Sequence, residues 1–346
     1  MPEPRDVRPG LGRRDALKTG LGLAAGGGFL SLGRPARAAL TPLNMQLGWL
    51  GGGNQIGEVA AFQLGYFEQE GLDFKIQPGG PNNDGIAIVA SGRYEVGQVS
   101  SSPSLMLAVS QDIPIKCFAV SAQQHPYAFF SLKKNPVATP ADFRGKKVGI
   151  QATGVVLLRA LLAKNNIDIK DVQIVTIGSD MMPLMTGQVD VVTGWLTNTT
   201  AIKVIGDDRV TYRLWDSGVQ LYANPYYTTL DMLAGKKDIL VRFLRAAGRG
   251  WAFAFANRDK AVELLVKQFP NLVAKDEREA ADVMLAHCFN AATLAHGYGA
   301  MDPAVWQAQI ALYAQLGQFA KRVPKLDEVM TMDILDATAD SRPKIG

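Results

Sequence analysis

Two cysteines, Cys117 and Cys288, and three histidines, His125, His287 and His296, are all that 346 residues provide. So few soft ligands, so widely spaced, leave a dedicated zinc site without its donors. A disulfide between the two thiols stays open, because sequence alone cannot bring two Cα atoms within bridging range. Neither cysteine stands where a lipid anchor would be attached to an exported chain. There is no Gly-x-Ser-x-Gly elbow, no Walker loop, no Gly-x-Gly-x-x-Gly after a strand and no His-Glu-x-x-His. The hydrolase, nucleotide-hydrolysing, dinucleotide-dependent and zinc-peptidase readings lose their chemistry with those motifs. No stretch beyond residue 38 is apolar for long enough to cross a bilayer, and no low-complexity segment or short-period repeat is present.

What is present begins with an export address. Gly12-Arg13-Arg14-Asp15-Ala16-Leu17-Lys18 is a twin-arginine stretch, followed by a glycine-diluted apolar run over 19–33 and the small-residue cleavage site Ala36-Arg37-Ala38. It departs from the common pattern, which has Ser or Thr before the arginines and Phe where Ala16 stands. Residues 1–38 predict a leader read by the twin-arginine translocase, and a soluble periplasmic product folded before export. The leader also accounts for the charge. It holds seven basic and three acidic residues out of totals of 36 and 32, so 29 of each sign remain. The formal charge of +4 vanishes with it, and so does the argument for a nucleic-acid partner.

The remaining residues, enough for two compact domains, alternate strand and helix signals. Strands are predicted at 43–49, 72–77, 95–99 and 113–121, separated by helices at 54–66, 84–91 and after Pro103. A second unit starts near Lys133, with strands at 143–150, 172–177 and 189–193 and helices after Gly154 and Met181. This order predicts an α/β fold of mixed, mostly parallel sheets flanked by helices. From Lys236 onward four amphipathic helices are predicted over 239–255, 258–269, 277–291 and 303–316, as outer cladding.

Four segments then carry a family resemblance: Gly65-Tyr66-Phe67-Glu68-Gln69-Glu70-Gly71-Leu72, Val89 through Gly97, Ala141 through Gly149, and Gly187-Gln188-Val189-Asp190-Val191. In this order they resemble solute-binding proteins of ABC importers, over about 43–335. The group that includes binders of thiamine-pyrimidine precursors is the most similar, with taurine, alkanesulfonate and nitrate binders as relatives. The resemblance implies a two-lobe periplasmic binding protein fold of type II with a ligand cleft. Lobe one would hold 40–128 plus 230–346 and lobe two 129–229, with crossovers at 127–132 and 222–228. It implies a monomer that closes on a small molecule and docks on an ABC permease with its ATPase, without a cofactor. Pyrimidine-synthase relatives carry a cysteine-rich segment that 193–200 lacks, which weighs against a pyrimidine-processing enzyme on this scaffold.

Ligands in open α/β sheets sit beyond the carboxyl ends of the strands. That rule selects Trp49 and Asn54 after the first strand, Ser100, Ser101 and Ser102 after the third, and Thr153 with Gly154 in the second unit. Their hydroxyls and backbone N–H groups can hold an acceptor-rich ligand or simply cap helices, with Pro103 at the first helical position. Two such helix starts keep a small anion in play, yet neither loop offers an Arg or Lys to neutralise one. The aromatics Trp195, Tyr222, Tyr226 and Tyr227 can stack a flat ring or pack as core, and Gln123, Asn198 and Asn224 can read its polar edge. His125 either reads the ligand or fixes the hinge. Asp180 can accept from an amino group or cap the next helix. Away from the cleft, His287 and His296 are expected to be structural. As a set these residues predict a neutral or weakly charged planar solute, such as a thiamine pyrimidine precursor.

Overall fold

Strand β1 (Thr41–Leu47) buries Leu43, Met45 and Leu47 at alternate positions, the period that turns one face of a strand inward. In the computed structural model, which describes residues 39–80 and 83–346, β1 lies in the first of two five-stranded sheets. Its companions are β2 (Leu72–Gln77), β3 (Val96–Gln98), β4 (Ile115–Ala122) and the late strand β10 (Ala223–Thr229), in the order β2-β1-β3-β10-β4. The second sheet has the order β7-β6-β8-β5-β9, from β5 (Tyr127–Leu132), β6 (Lys147–Ile150), β7 (Gln173–Thr176), β8 (Val191–Trp195) and β9 (Arg209–Arg213). In each sheet one strand runs against the rest: β10 pairs antiparallel with β3 and β4, and β5 with β8 and β9. The mixed, mostly parallel fold expected from the sequence is therefore the fold observed. The twin-arginine leader lies outside the described residues.

The chain passes from the first sheet to the second between β4 and β5, and returns before β10. Residues 223–229, grouped by the sequence with 129–229, are thus hydrogen-bonded into the first sheet through Tyr226, Tyr227 and their neighbours. The return is irregular, with Asn224 at a φ of 50° and a register shift between Tyr226 and Tyr227. Asn tolerates this left-handed region better than most residues, and Pro225 has no N–H to give a ladder. The outer edge of β4 is covered by the C-terminal segment, through a bridge of Cys117 with Met330 and the Val120 N–H on the Gly299 carbonyl at 3.1 Å. Both cysteines are free and buried, so the question left open by the sequence closes without a disulfide.

One helix expected over 54–66 is instead a 3-10 turn (Gly53–Gln55), a helix (Ile56–Gln63) and a short helix (Tyr66–Gln69). Gly65, at φ 72°, ends the first helix in the left-handed conformation that glycine supplies at no steric cost. In the same motif Phe67 stacks on Phe74 at 3.8 Å between ring centroids, and Glu70 pairs with Arg245 at 2.7 Å. The motif is therefore structural: it fastens the start of β2 to the long helix Lys237–Ala256.

That long helix crosses Ile56–Gln63 at a glycine contact. A Cβ on Gly250 would lie 2.1 Å from the Gly57 carbonyl oxygen and 2.6 Å from Ala61 Cβ, both in the facing helix. Gly250→Ala is expected to destabilise the protein by about 2–3 kcal/mol in urea denaturation, since neither backbone can give way. Gly235→Ala, where a Cβ meets nothing within 4 Å, is the control and is expected to be neutral or mildly stabilising. Equal midpoints for the two variants would remove the glycine contact as a packing constraint.

Candidate functional site

Two chain crossings converge where the carboxyl ends of the sheets face each other. On the first, Gln123, Gln124 and His125 lead into β5. On the second, Leu221 and Tyr222 lead into β10, whose second residue is Asn224. They are joined by the His125 N–H donating to the Leu221 carbonyl at 3.0 Å. The Ser100–Ser102 loop lies against the second crossing, where Asn224 N–H donates to the Ser100 carbonyl at 3.3 Å and Ser102 N–H to the Tyr222 carbonyl at 3.1 Å. β8 brings Trp195 into register with Tyr127. The structure thus gathers Ser100, Ser101, Ser102, Gln123, His125, Trp195, Tyr222 and Asn224 into one neighbourhood.

His125 is its centre. The ring is 2% exposed, and both nitrogens lack a hydrogen-bond partner. It stands edge-on to Trp195 at 5.0 Å between centroids and to Tyr127 at 6.1 Å. Burial, with His287 nearby, lowers its pKa to about 3, so the imidazole is neutral and offers one N–H and one lone pair. Asn224 Nδ2 and Ser101 Oγ are also buried without partners. Buried polar atoms are nearly always paired, so this concentration of unpaired ones is informative.

Other expected residues are already committed. Ser102 is fully buried and donates its hydroxyl to Gln309 Oε1 at 2.7 Å, so it braces the helix Pro303–Gln315 instead of facing a ligand. The N-cap of helix Ser102–Ser110 is Ser101, which moves Pro103 to the second helical position. Gln123 Nε2 donates to the Ala300 carbonyl at 2.9 Å, and the Tyr222 hydroxyl accepts the Asp302 N–H at 2.9 Å. Tyr226 is core, its hydroxyl bonded to Glu58 and, at 2.8 Å, to Tyr298. Tyr227 is buried behind Gly97, whose Cβ would strike its ring. Gly154 makes room for Tyr127: a Cβ there would lie 2.2 Å from the Tyr127 hydroxyl.

Of the remaining residues only Asn198 is bonded to this neighbourhood, through Trp195. Thr153 is exposed in the turn Ala152–Gly154. Asp180 is exposed and accepts the Met182 N–H at 2.9 Å; it stands one residue before Met181, which holds the N-cap position of the next helix. Trp49, at 47% exposure, projects from the loop after β1, and Asn54 in the same loop has a buried, unpaired Oδ1. Asn198 closes a turn on the Trp195 carbonyl at 2.9 Å and opens the helix Thr199–Lys203. That helix meets Ala274–Cys288 across the gap between the sheets, with Lys203 on Glu279 at 2.7 Å and Thr199 Oγ1 on the Asp276 carbonyl at 3.4 Å.

One residue expected away from the cleft lies beside it, and one was not anticipated. His287 is not remote: its carbonyl accepts the N–H groups of Gln123 and Gln124 at 2.8 and 3.2 Å, bracing the crossing that carries His125. Glu58 is fully buried at the third position of helix Ile56–Gln63, and burial raises its pKa to about 7. Its Oε1 accepts from Gln98 Nε2 at 2.8 Å, and Gln98 Oε1 in turn accepts from Gln55 Nε2 at 2.8 Å. The nucleophiles are muted, since burial pushes the thiols of Cys117 and Cys288 up, away from thiolate.

Two mixed sheets joined by two crossings, with their carboxyl ends face to face, define a periplasmic binding protein fold. The chain belongs to the family described as NMT1/THI5 like, whose model matches residues 53–261. It is 26% identical over 290 residues to the formylaminopyrimidine-binding protein of Halalkalibacterium halodurans, covering 79% of this chain and 84% of the relative. It is 28% identical over 216 residues to the riboflavin-binding protein RibY of Chloroflexus aurantiacus, covering 60% and 61% of the two chains. Among solved structures, the aliphatic sulphonate binding protein SsuA of Escherichia coli shares the fold. Its TM-score is 0.64 at 15% identity, over 83% of this chain and 91% of that one.

Proposed function

We propose that this protein captures a small, flat, uncharged heteroaromatic solute of the aminopyrimidine class between its two lobes, in the periplasm, and passes it to an ABC permease. The observation that carries this reading is the His125 neighbourhood. A neutral imidazole stands edge-on to an indole, and Asn224 and Ser101 place unpaired polar atoms at the adjoining crossing. An aromatic ring stacked there would meet hydrogen-bonding groups of both polarities at its edge. The two curated relatives are named for a formylaminopyrimidine and for riboflavin, both nitrogen heteroaromatics. None of the gathered side chains is a cation, which disfavours an alkanesulfonate, taurine or nitrate. Arg213, which lies close enough to His287 to lower its pKa, is itself spent on Asp216 through two bonds of 2.7 and 2.8 Å.

Periplasmic delivery rests on the twin-arginine stretch and on the family. No helix among the described residues is long and apolar enough to cross a membrane. Isothermal titration of the exported protein with formylaminopyrimidine, riboflavin, taurine, an alkanesulfonate and nitrate tests the ligand class. Saturable one-to-one binding of a heteroaromatic, without product formation, is the expected result. Binding confined to the anions would overturn the proposal, and turnover of the pyrimidine would replace it with an enzyme.

A further inference from the structure

Glu58, Gln98 and Gln55 form a hydrogen-bond relay with a single direction. Glu58 Oε1 takes the Gln98 amide N–H and the Tyr226 hydroxyl. Gln98 must then turn its carbonyl oxygen toward Gln55, whose Nε2 donates to it, leaving Gln55 Oε1 to accept the Gly52 N–H at 3.2 Å. Every donor in the relay points at the carboxyl. Its far end is the glycine-rich loop after β1 that carries Trp49 and Asn54. Gln98 is also the last residue of β3, just before the Ser100–Ser102 loop, and its carbonyl accepts the Gly48 N–H at 2.7 Å. One buried carboxyl therefore ties the loop at 48–55 to the end of β3, at the carboxyl end of the first sheet.

Its own surroundings are uncharged. Tyr226 comes from β10, Tyr298 from the loop before Pro303–Gln315, Cys288 from the end of Ala274–Cys288, and Trp251 from Lys237–Ala256. Burial holds the two phenols and the thiol in their neutral forms. Glu58 Oε2 and Trp251 Nε1 are both buried, and the indole N–H lies near enough to the carboxyl to favour its ionised form, though outside ideal hydrogen-bond geometry. No lysine, arginine or histidine among the described residues contributes to its titration, so its proton is set by burial against the Tyr226 hydroxyl, its own backbone N–H, the Gln98 amide and the Trp251 indole.

We propose that Glu58 is a positioning residue for the binding cleft. Through Gln98 and Gln55 its carboxyl fixes the hydrogen-bond polarity of the loop at 48–55, and loss of its proton tightens it. This deepens the proposed function, on which the identification of that loop as a ligand loop rests. The ionised carboxyl is the stronger acceptor, because charge-assisted hydrogen bonds exceed neutral ones. Pulling harder on Gln98, it holds Gln55 on the Gly52 amide.

Hydrogen–deuterium exchange of the ligand-free protein reads the relay directly. After correction for the intrinsic pH dependence of exchange, protection of residues 48–55 is expected to rise about fivefold from roughly pH 5.5 to 8.5, the worth of one strengthened hydrogen bond. Glu58→Gln keeps the shape and the acceptor but cannot ionise, and should abolish the rise. Gln55→Leu leaves Glu58, Gln98 and Tyr226 in place while cutting the last link, so it should abolish the rise too and serves if Glu58→Gln does not fold. A flat wild-type profile, or a rise that survives in either variant, would overturn the proposal. Titration of the same proteins with formylaminopyrimidine decides the ligand reading separately: absence of binding sinks that reading, while the exchange data still decide the relay.

Discussion

Replacing Trp195 with alanine is expected to weaken binding of a heteroaromatic ligand about a hundredfold, the loss typical of a buried aromatic anchor. The indole is the nearest ring to His125, at 5.0 Å, and it sits on β8 in register with Tyr127, where the second sheet meets the first crossing. Truncation removes a stacking surface and also opens the wall that keeps His125 dry. His125→Phe separates the two roles left open by the sequence. Phenylalanine keeps the ring packing but removes two buried nitrogens that have no partner in the ligand-free protein. If His125 reads the ligand, affinity should fall at least about tenfold, the cost of leaving a buried ligand atom unpaired. Over the same change the unliganded protein should hold or gain stability, because an unsatisfied polar group has gone. Calorimetry with formylaminopyrimidine and urea denaturation of both variants make the comparison. Unchanged affinity in His125→Phe would reduce His125 to a hinge residue and withdraw it from recognition.

The fold was legible because its signals are local. Leu43, Met45 and Leu47 alternate, and the four motifs keep their order along the chain, whereas the helix end at Gly65 went unread. Strand β9 was missed because its signal is short: Arg209–Arg213 alternates, but Val210 and Tyr212 are its only two apolar residues, too few to mark a strand at the edge of a sheet. The site was legible in part. Ser100 follows from the rule that ligands sit at strand ends, Trp195 from a predicted strand end, and His125 and Asn224 from the crossovers that the family resemblance implied. Whether a tyrosine or a serine there faces the cleft or the core is a tertiary property. Tyr226 and Ser102 turned inward because Glu58 and Gln309, 168 and 207 residues away in sequence, supply their partners. Glu58 itself left no trace, since a glutamate early in an amphipathic helix reads as a solvated first-turn acid favoured by the helix dipole. Nothing local announces that Tyr226, Gln98 and Trp251 will close over it.

Glu58 should also be visible in the stability of the whole protein, through two buried groups that work against each other. A carboxyl whose value rises from an ordinary 4.5 to about 7 on folding stabilises the native state fully below pH 4.5, and that contribution is lost as pH climbs through 7. The loss corresponds to about 3 kcal/mol, given ~1.4 kcal/mol for each tenfold change in proton affinity. His125 has the opposite slope. Its value drops from 6.5 to about 3, so its contribution is present above pH 6.5 and fades as pH falls toward 3. Across the shared window the two partly cancel, and a wild-type profile alone would look flatter than either. The difference between wild type and Glu58→Gln isolates the carboxyl, because His125 is common to both. That difference is expected to move by about 3 kcal/mol in favour of Glu58→Gln between roughly pH 4.5 and 8, with most of the change below pH 7. Urea denaturation midpoints at closely spaced pH values measure it. Parallel profiles would mean that Glu58 keeps one protonation state throughout, and the buried carboxyl would then be a fixed hydrogen-bond acceptor with no share in the pH response of the fold.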